Sequence, residues 1–266
     1  MEKRTIAICF TFLLIVAILS GCSENNNELS EELSVDQIKT NFIHAINNVS
    51  SYKCNLTGKL NITLFKGAET NVTERLSNAN FLINISNRTL EHDSEFLNIG
   101  EDEKDKMIIY IIGDFRYIGY GKEGNLTWDY EELSPFSAES KWNMSSPIEM
   151  FVEQITNVMP QQGNITWKRL NDESFNNHTF YILQSEYINN ISDTTHAGYD
   201  LAEIYHTFWI DKTNYFLYKV ELNQIRDITG YYAGEYDRRY LISEDIFTFY
   251  DYNIPVYIEL PPDIIP

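Results

Sequence analysis

From Tyr52 to Leu64 the chain alternates, with Tyr52, Cys54, Leu56, Leu60, Ile62 and Leu64 on one parity and Lys53, Asn55, Thr57, Lys59, Asn61 and Thr63 on the other. A run with period two this long is a half-buried strand, because successive side chains leave opposite faces of a sheet. Further strands are expected at about 70–77, 79–87, 89–98, 106–112, 115–120, 126–130, 165–170, 178–188, 204–211, 215–226 and 236–250. The turns between them carry suitable residues: Lys66-Gly67, Gly113-Asp114, Gly121 to Gly124 and Asp211-Lys212-Thr213-Asn214. Consecutive strands joined by short polar turns predict an antiparallel meander.

Two helices interrupt this pattern. Ser34 with Gln37 three residues on makes a capping box, and Val35, Ile38, Phe42, Ala45, Ile46 and Val49 recur at helical spacing, predicting a helix over 35–49. Ser146-Pro147 opens a second, over 147–159, carrying Ile148, Phe151, Val152, Ile155 and Val158 and stopped by Pro160. Residues 189–200 show no period and read as a long loop, and the tail from Asn253 to Pro266 reads as extended and proline-rich.

The N-terminus sets the compartment. Lys3 and Arg4 precede an apolar stretch from Ile6 to Leu19, which ends in Leu19-Ser20-Gly21-Cys22. That is the layout of an export signal with a lipoprotein cleavage box, and the run falls short of the ~20 apolar residues that span a bilayer. Residues 1–21 are read as the signal peptide, Cys22 as the lipidated first residue, 22–33 as a flexible acidic tether and 34–266 as a single domain. An uncleaved signal anchor, or a secretory peptide with a chance cysteine, is the alternative. The expected location is the extracytoplasmic face of a membrane, held by the lipid.

Eleven Asn-x-Ser/Thr acceptor sites point the same way: Asn48, Asn55, Asn61, Asn71, Asn84, Asn87, Asn125, Asn143, Asn164, Asn177 and Asn190. With 26 Asn and 36 Ser plus Thr in 266 residues, chance placement gives about three or four. Each site adds a solubilising group only where it is exposed and translocated. A lipobox with this many acceptor sites looks most like an archaeal cell-surface lipoprotein.

Composition closes off several classes. The formal charge is −19, and loss of Glu2, Lys3 and Arg4 with the leader makes it −20. No basic patch is available for nucleic acid or anionic headgroups, so contact with a membrane is expected through the lipid. Cys9 leaves with the signal and Cys22 is lipidated, so Cys54 stands alone as a structural thiol. His44, His92, His178, His196 and His206 lack metal-ligand spacing, and no phosphate loop, nucleophile elbow or calcium loop is present. No cofactor or metal is expected, and the chain is read as non-enzymatic. A surface hydrolase would need two converging carboxylates, which sequence abundance cannot reveal. The aromatic residues, dense at 110–142 and 231–252, serve either as ordinary core or as the lining of an apolar cavity, and parity does not separate these.

The order of elements resembles the LolA/LolB-like and LppX-like lipoprotein superfamily. The residues carrying the likeness are the lipidated Cys22, the helix ending in Asn47-Asn48-Val49-Ser50-Ser51-Tyr52, and Thr207-Phe208-Trp209-Ile210-Asp211-Lys212 running into Leu217-Tyr218-Lys219-Val220-Glu221. The close from Phe249 to Pro261 adds to it. The resemblance covers about residues 34–262. It implies an α+β domain, an antiparallel sheet curled into an open half-barrel with helices packed on the concave side and an apolar cavity between them. It implies binding of acyl chains or other lipophilic molecules, or an assembly role at the cell surface, and brings no catalytic residue. Phe42, Ile46, Phe151 and Ile155 on the helices and Trp128, Trp209 and Phe247 on strands are the expected lining. Two partners are expected beyond the membrane itself: a lipophilic small molecule, or, with the half-barrel as a solid scaffold, a cell-envelope protein of the surface layer or a transport system docked on the glycan-free face.

Overall fold

A computed structural model describes residues 32–156, 165–193, 198–262 and 264; Cys22, the tether, Asn164 and 157–160 lie outside them. Twelve strands form one antiparallel sheet: β1 (Ser51–Lys66), β2 (Glu69–Asn84), β3 (Thr89–Asn98), β4 (Asp105–Ile112), β5 (Phe115–Lys122), β6 (Asn125–Glu132), β7 (Ile165–Arg169), β8 (Glu173–Phe175), β9 (His178–Asp193), β10 (Gly198–Asp211), β11 (Leu217–Thr229) and β12 (Arg238–Tyr250). Their order is β6-β5-β4-β3-β2-β1-β12-β11-β10-β9-β7, with β8 also on β9, so the first and last long strands meet at the centre and two meanders run outward. The sheet is not closed. Among the described residues three α-helices accompany it: α1 (Val35–Ile46), α2 (Pro135–Ser145) and α3 (Pro147–Ile155).

Registry carries the alternation of β1 across the sheet. Cys54 lies opposite Phe249 and Phe81, and Leu56 opposite Phe247 and Ala79; beyond them His92 faces Phe81 and Ile109 faces His92. These side chains share the face that receives α3. Phe151 meets Phe247 edge-on at 5.1 Å, Phe208 at 5.9 Å and Phe249 at 6.2 Å, the arrangement favoured by the ring quadrupole. Helix α1 buries Ile38, Phe42 and Ile46, one residue per turn, and Lys39 sits 4.6 Å from the Trp167 ring of β7.

The N-terminus of α3 is fixed by a strand. The buried Tyr52 hydroxyl lies 2.7 Å from Ser146 Oγ and accepts the Ile148 N–H at 3.1 Å, which satisfies one of the orphan donors every helix start presents. Burial holds that phenol well above its usual range.

Several expectations change. The strands at 70–77 and 79–87 are one, since Ser77, Asn78 and Ala79 keep unbroken register with β1. The segment 189–200 is not a loop through its described part: β9 continues to Asp193 and β10 starts at Gly198, in register from Gly198 opposite Asp193. Backbone pairing with neighbouring long strands overrides its lack of apolar period. Helix α1 stops at Ile46, and α3 is described to Ile155. Helix α2 had no apolar stripe to announce it; it starts where Ser134 Oγ accepts the Ser137 N–H ahead of Pro135.

The tail crosses the opposite face of the sheet. Ser51 Oγ donates to the Ile254 carbonyl at 2.6 Å and Asn84 Nδ2 to the Val256 carbonyl at 3.0 Å, and Ile264 packs on Tyr110 and Tyr117 with Ile258, Leu260 and Trp128 around it. Replacing the fully buried Phe151 by Ala removes the contact that seats α3 on Phe208, Phe247 and Phe249. It is expected to lower stability by about 3–5 kcal/mol, read as a fall in the urea midpoint with the slope unchanged.

Candidate functional site

Beneath α2 and α3 the helix-bearing face opens into a groove of about 290 Å³, lined by Leu56, Phe81, His92, Ile109 and Phe247 from the strands, Met144, Ser145, Ser146, Pro147 and Met150 from the helices, and Arg116 and Lys141. A second groove of about 170 Å³ lies on the other side of Met150, lined by Gln154, Tyr187, Ile204, His206, Leu222 and Gln224. Met150 is a wall of both. An unbranched thioether adapts its shape readily, so the wall between the two spaces is a soft one.

The titratable groups along this face are held away from charge by burial. His92 stacks on Phe81 at 4.3 Å and is pushed down to about 4. His206 accepts from Gln154 Nε2 at its Nδ1, 2.6 Å away, and is pushed down to about 3. Both imidazoles are neutral at pH 7. Asp245, two residues beyond Phe247 on β12, is pushed up to about 6 by desolvation, and Glu149, paired to Ser146 Oγ, is raised by burial. Burial also raises the Cys54 thiol, which leaves it inert. Among the described residues no group of three or more His, Cys, Asp or Glu is placed to hold a metal ion.

The residues expected to line a cavity divide between the two faces. Phe247 lines the groove, while Phe151 and Ile155, fully buried, form the core under α3, and Phe42 and Ile46 that under α1. Trp209 lies on the opposite face with Phe180 and Ile182, its Nε1 donating to Glu173 Oε2 at 2.9 Å. Trp128 is on that face too, its ring lying over Gly119, where a Cβ would approach the indole to 2.7 Å. Leu56, whose parity matched Tyr52 and Cys54, was the legible signal for the groove. Arg116, Lys141 and Met144 were not, because they arrive from β5, next to the β6 edge of the sheet, and from α2.

The acceptor asparagines divide as well. Asn48, Asn55, Asn71, Asn87, Asn125, Asn177 and Asn190 are exposed, and Asn61, Asn84 and Asn143 are partly buried. Two of the latter spend their amide nitrogens internally: Asn84 Nδ2 on the Val256 carbonyl and Asn143 Nδ2 on Glu153 Oε1 at 2.9 Å.

No family model matches the sequence, and no curated protein matches it. Solved structures do. A LolA superfamily protein from Nitrosomonas europaea is 10% identical, with 87% of this chain and 97% of the other covered, at a TM-score of 0.23. A DUF1329 family protein from Desulfovibrio piger is 9% identical over 84% and 95%, at 0.27. A provisionally assigned outer membrane lipoprotein-sorting protein domain from Vibrio parahaemolyticus is 12% identical over 84% and 95%, at 0.24. Likenesses this loose leave the reading of the site to its own geometry.

The buried imidazoles give the domain a pH signature. Below pH 6.5 the unfolded chain protonates His92 and His206 while the folded chain does not until about 4 and 3. Stability therefore falls as pH drops through that window, by up to about 1.4 kcal/mol per pH unit for each histidine. Asp245 acts with the opposite sign, since its folded pKa of about 6 exceeds the ordinary aspartate value of 3.8; between those values the folded state takes up the proton first. Its partial solvation weakens the effect. Urea midpoints measured from pH 6.5 to 4 are expected to fall less steeply for His206→Met than for the wild type, and more steeply for Asp245→Asn.

Proposed function

We propose that this chain is a non-enzymatic lipoprotein, anchored through Cys22 to the extracytoplasmic face of a membrane, that holds a lipophilic ligand in the groove under α2 and α3. In this reading the sheet curls into an open half-barrel with α1 and α3 on its concave side, and residues 34–266 act as one domain. The observation that carries the proposal is the groove itself: an apolar floor of Leu56, Phe81, Ile109 and Phe247 under a roof of Met144, Pro147 and Met150. A folded domain ordinarily fills such a space, and a preformed apolar groove with a few polar groups at its margin is the usual form of a small-molecule site. Each methylene buried there contributes about 0.8 kcal/mol, and the second groove beyond Met150 would accept a longer chain.

The cleavage box at Leu19–Cys22 and seven exposed acceptor asparagines support this compartment. No helix among the described residues is long and apolar enough to cross a membrane, so the lipid on Cys22 is the anchor this reading invokes. Native mass spectrometry of protein extracted gently from its own membrane is expected to show a bound lipophile. Met150→Trp, which fills space on both sides of α3, is expected to be recovered empty and to take up dodecan-1-ol at least about tenfold more weakly. Wild-type protein that is recovered empty and takes up no dodecan-1-ol would overturn the proposal.

A further inference from the structure

The groove is apolar except at one end, where two cations converge. Arg116, on β5, lies opposite Ile111 and Glu131, so its side chain leaves the helix-bearing face at the groove margin, where Lys141 of α2 comes down to meet it. Both are held by a single carboxylate: Glu131 Oε1 lies 3.0 Å from Arg116 Nη1 and 3.6 Å from Lys141 Nζ. Two positive groups on one shared negative group leave this end of the groove with a surplus positive charge, in a chain whose formal charge is −19. The Arg116 Nε–H is buried with no hydrogen-bond partner among the described residues, so the guanidinium's donors are not fully used by the protein. The remaining ionisable group lining the groove, His92, is neutral. Guanidinium and ammonium groups beside an apolar floor suit a carboxylate or phosphate whose own chain lies on that floor.

Building on the proposed lipophile site, we infer that its ligand is an anionic amphiphile: a single alkyl chain on Leu56, Phe81, Ile109 and Phe247, its acid group received by Arg116 and Lys141 in competition with Glu131. The size of the groove, near the lower bound of ~300 Å³ for ligand pockets, favours one chain over two.

Three probes of equal chain length test this by isothermal titration or fluorescence displacement: dodecanoate, dodecyl phosphate and dodecan-1-ol. Wild-type protein is expected to bind at least one of the acids roughly tenfold or more tightly than the alcohol, and the better acid distinguishes a carboxylate source from a phosphate source. Lys141→Gln, at a half-exposed position on α2, should lose most of that preference, read as the ratio of acid to alcohol affinity within the same variant. Glu131→Gln, which frees both cations, should bind the acid more tightly; Arg116→Lys keeps the charge without the fork and should fall between wild type and Lys141→Gln. Equal binding of acid and alcohol by wild-type protein would overturn the assignment of the headgroup while leaving the groove standing. Binding of none of the three would overturn the groove reading as well.

Discussion

The hydroxyl of Tyr52 decides where α3 can sit. It is fully buried on β1, accepts the Ile148 N–H and pairs with Ser146 Oγ. The start of a nine-residue helix is thereby fixed to the strand that also forms the centre of the sheet. A helix that short has little stability of its own and depends on its contacts. With its N-terminus fixed, Phe151 one turn later falls among Phe208, Phe247 and Phe249, and Ile155 reaches the core. Met150, on the flank of the same helix, is then suspended over the sheet between two spaces it does not fill. The grooves follow from a helix anchored at one end and along one edge, over a sheet wider than the helix.

The two faces of the sheet solve different problems. On the opposite face the aromatic residues are spent on structure: Trp209 closes over Phe180 and Ile182, Trp128 covers the bare backbone at Gly119, and the tail brings Ile258, Leu260 and Ile264 down onto Tyr110 and Tyr117. Strand β1 shows the division within one element, since Tyr52, Cys54 and Leu56 serve the helix-bearing face while Asn55 stands exposed on the other. Asn84 marks a limit on modification. Its amide nitrogen donates to the Val256 carbonyl, so a glycan there would need the tail to lift, whereas Asn55 is exposed and engages the Tyr250 hydroxyl through its oxygen.

Much of this was legible in the residues. Alternation from Tyr52 to Leu64 announced both the strand and its buried parity, and glycine and asparagine turns placed the hairpins, because period and turn chemistry are local properties of the chain. Phe247 was legible as a groove residue and Leu56 through its parity. Trp128 and Trp209 were drawn to the same site by their size alone. Which face a tryptophan serves depends on registry with a distant strand and, here, on a tail packing from 130 residues away, neither of which is written in local spacing. The strand ends at 189–193 and 198–200 were hidden for a related reason: they are held by pairing with each other and not by an apolar pattern of their own. Helix α2, whose only advertisement was Ser134-Pro135, brought Lys141 and Met144 with it.

Polarity along the helix-bearing face gives the groove a direction. Moving down β12 the inward residues run Phe249, Phe247, Asp245, Ser243, so the apolar floor ends at a carboxylate. Gly58 stands opposite Asp245, and the absence of a side chain there is what lets the carboxylate and the Ser77 hydroxyl fold in over the backbone of β1. Desolvation already raises Asp245, and apolar matter laid further over it would raise it again. At the other end stand Arg116 and Lys141, whose charge is diluted by Glu131 but not cancelled. An alkyl chain can therefore lie between the two ends with little electrostatic consequence, but a charged head cannot. An acid group turned toward Asp245 would meet another acidic group, whereas the same group turned toward Arg116 would meet a guanidinium whose Nε–H has no partner among the described residues. In the proposed reading a bound acid is therefore expected to turn its headgroup toward Arg116 and Lys141, because the cationic donors that line the groove stand at that end alone.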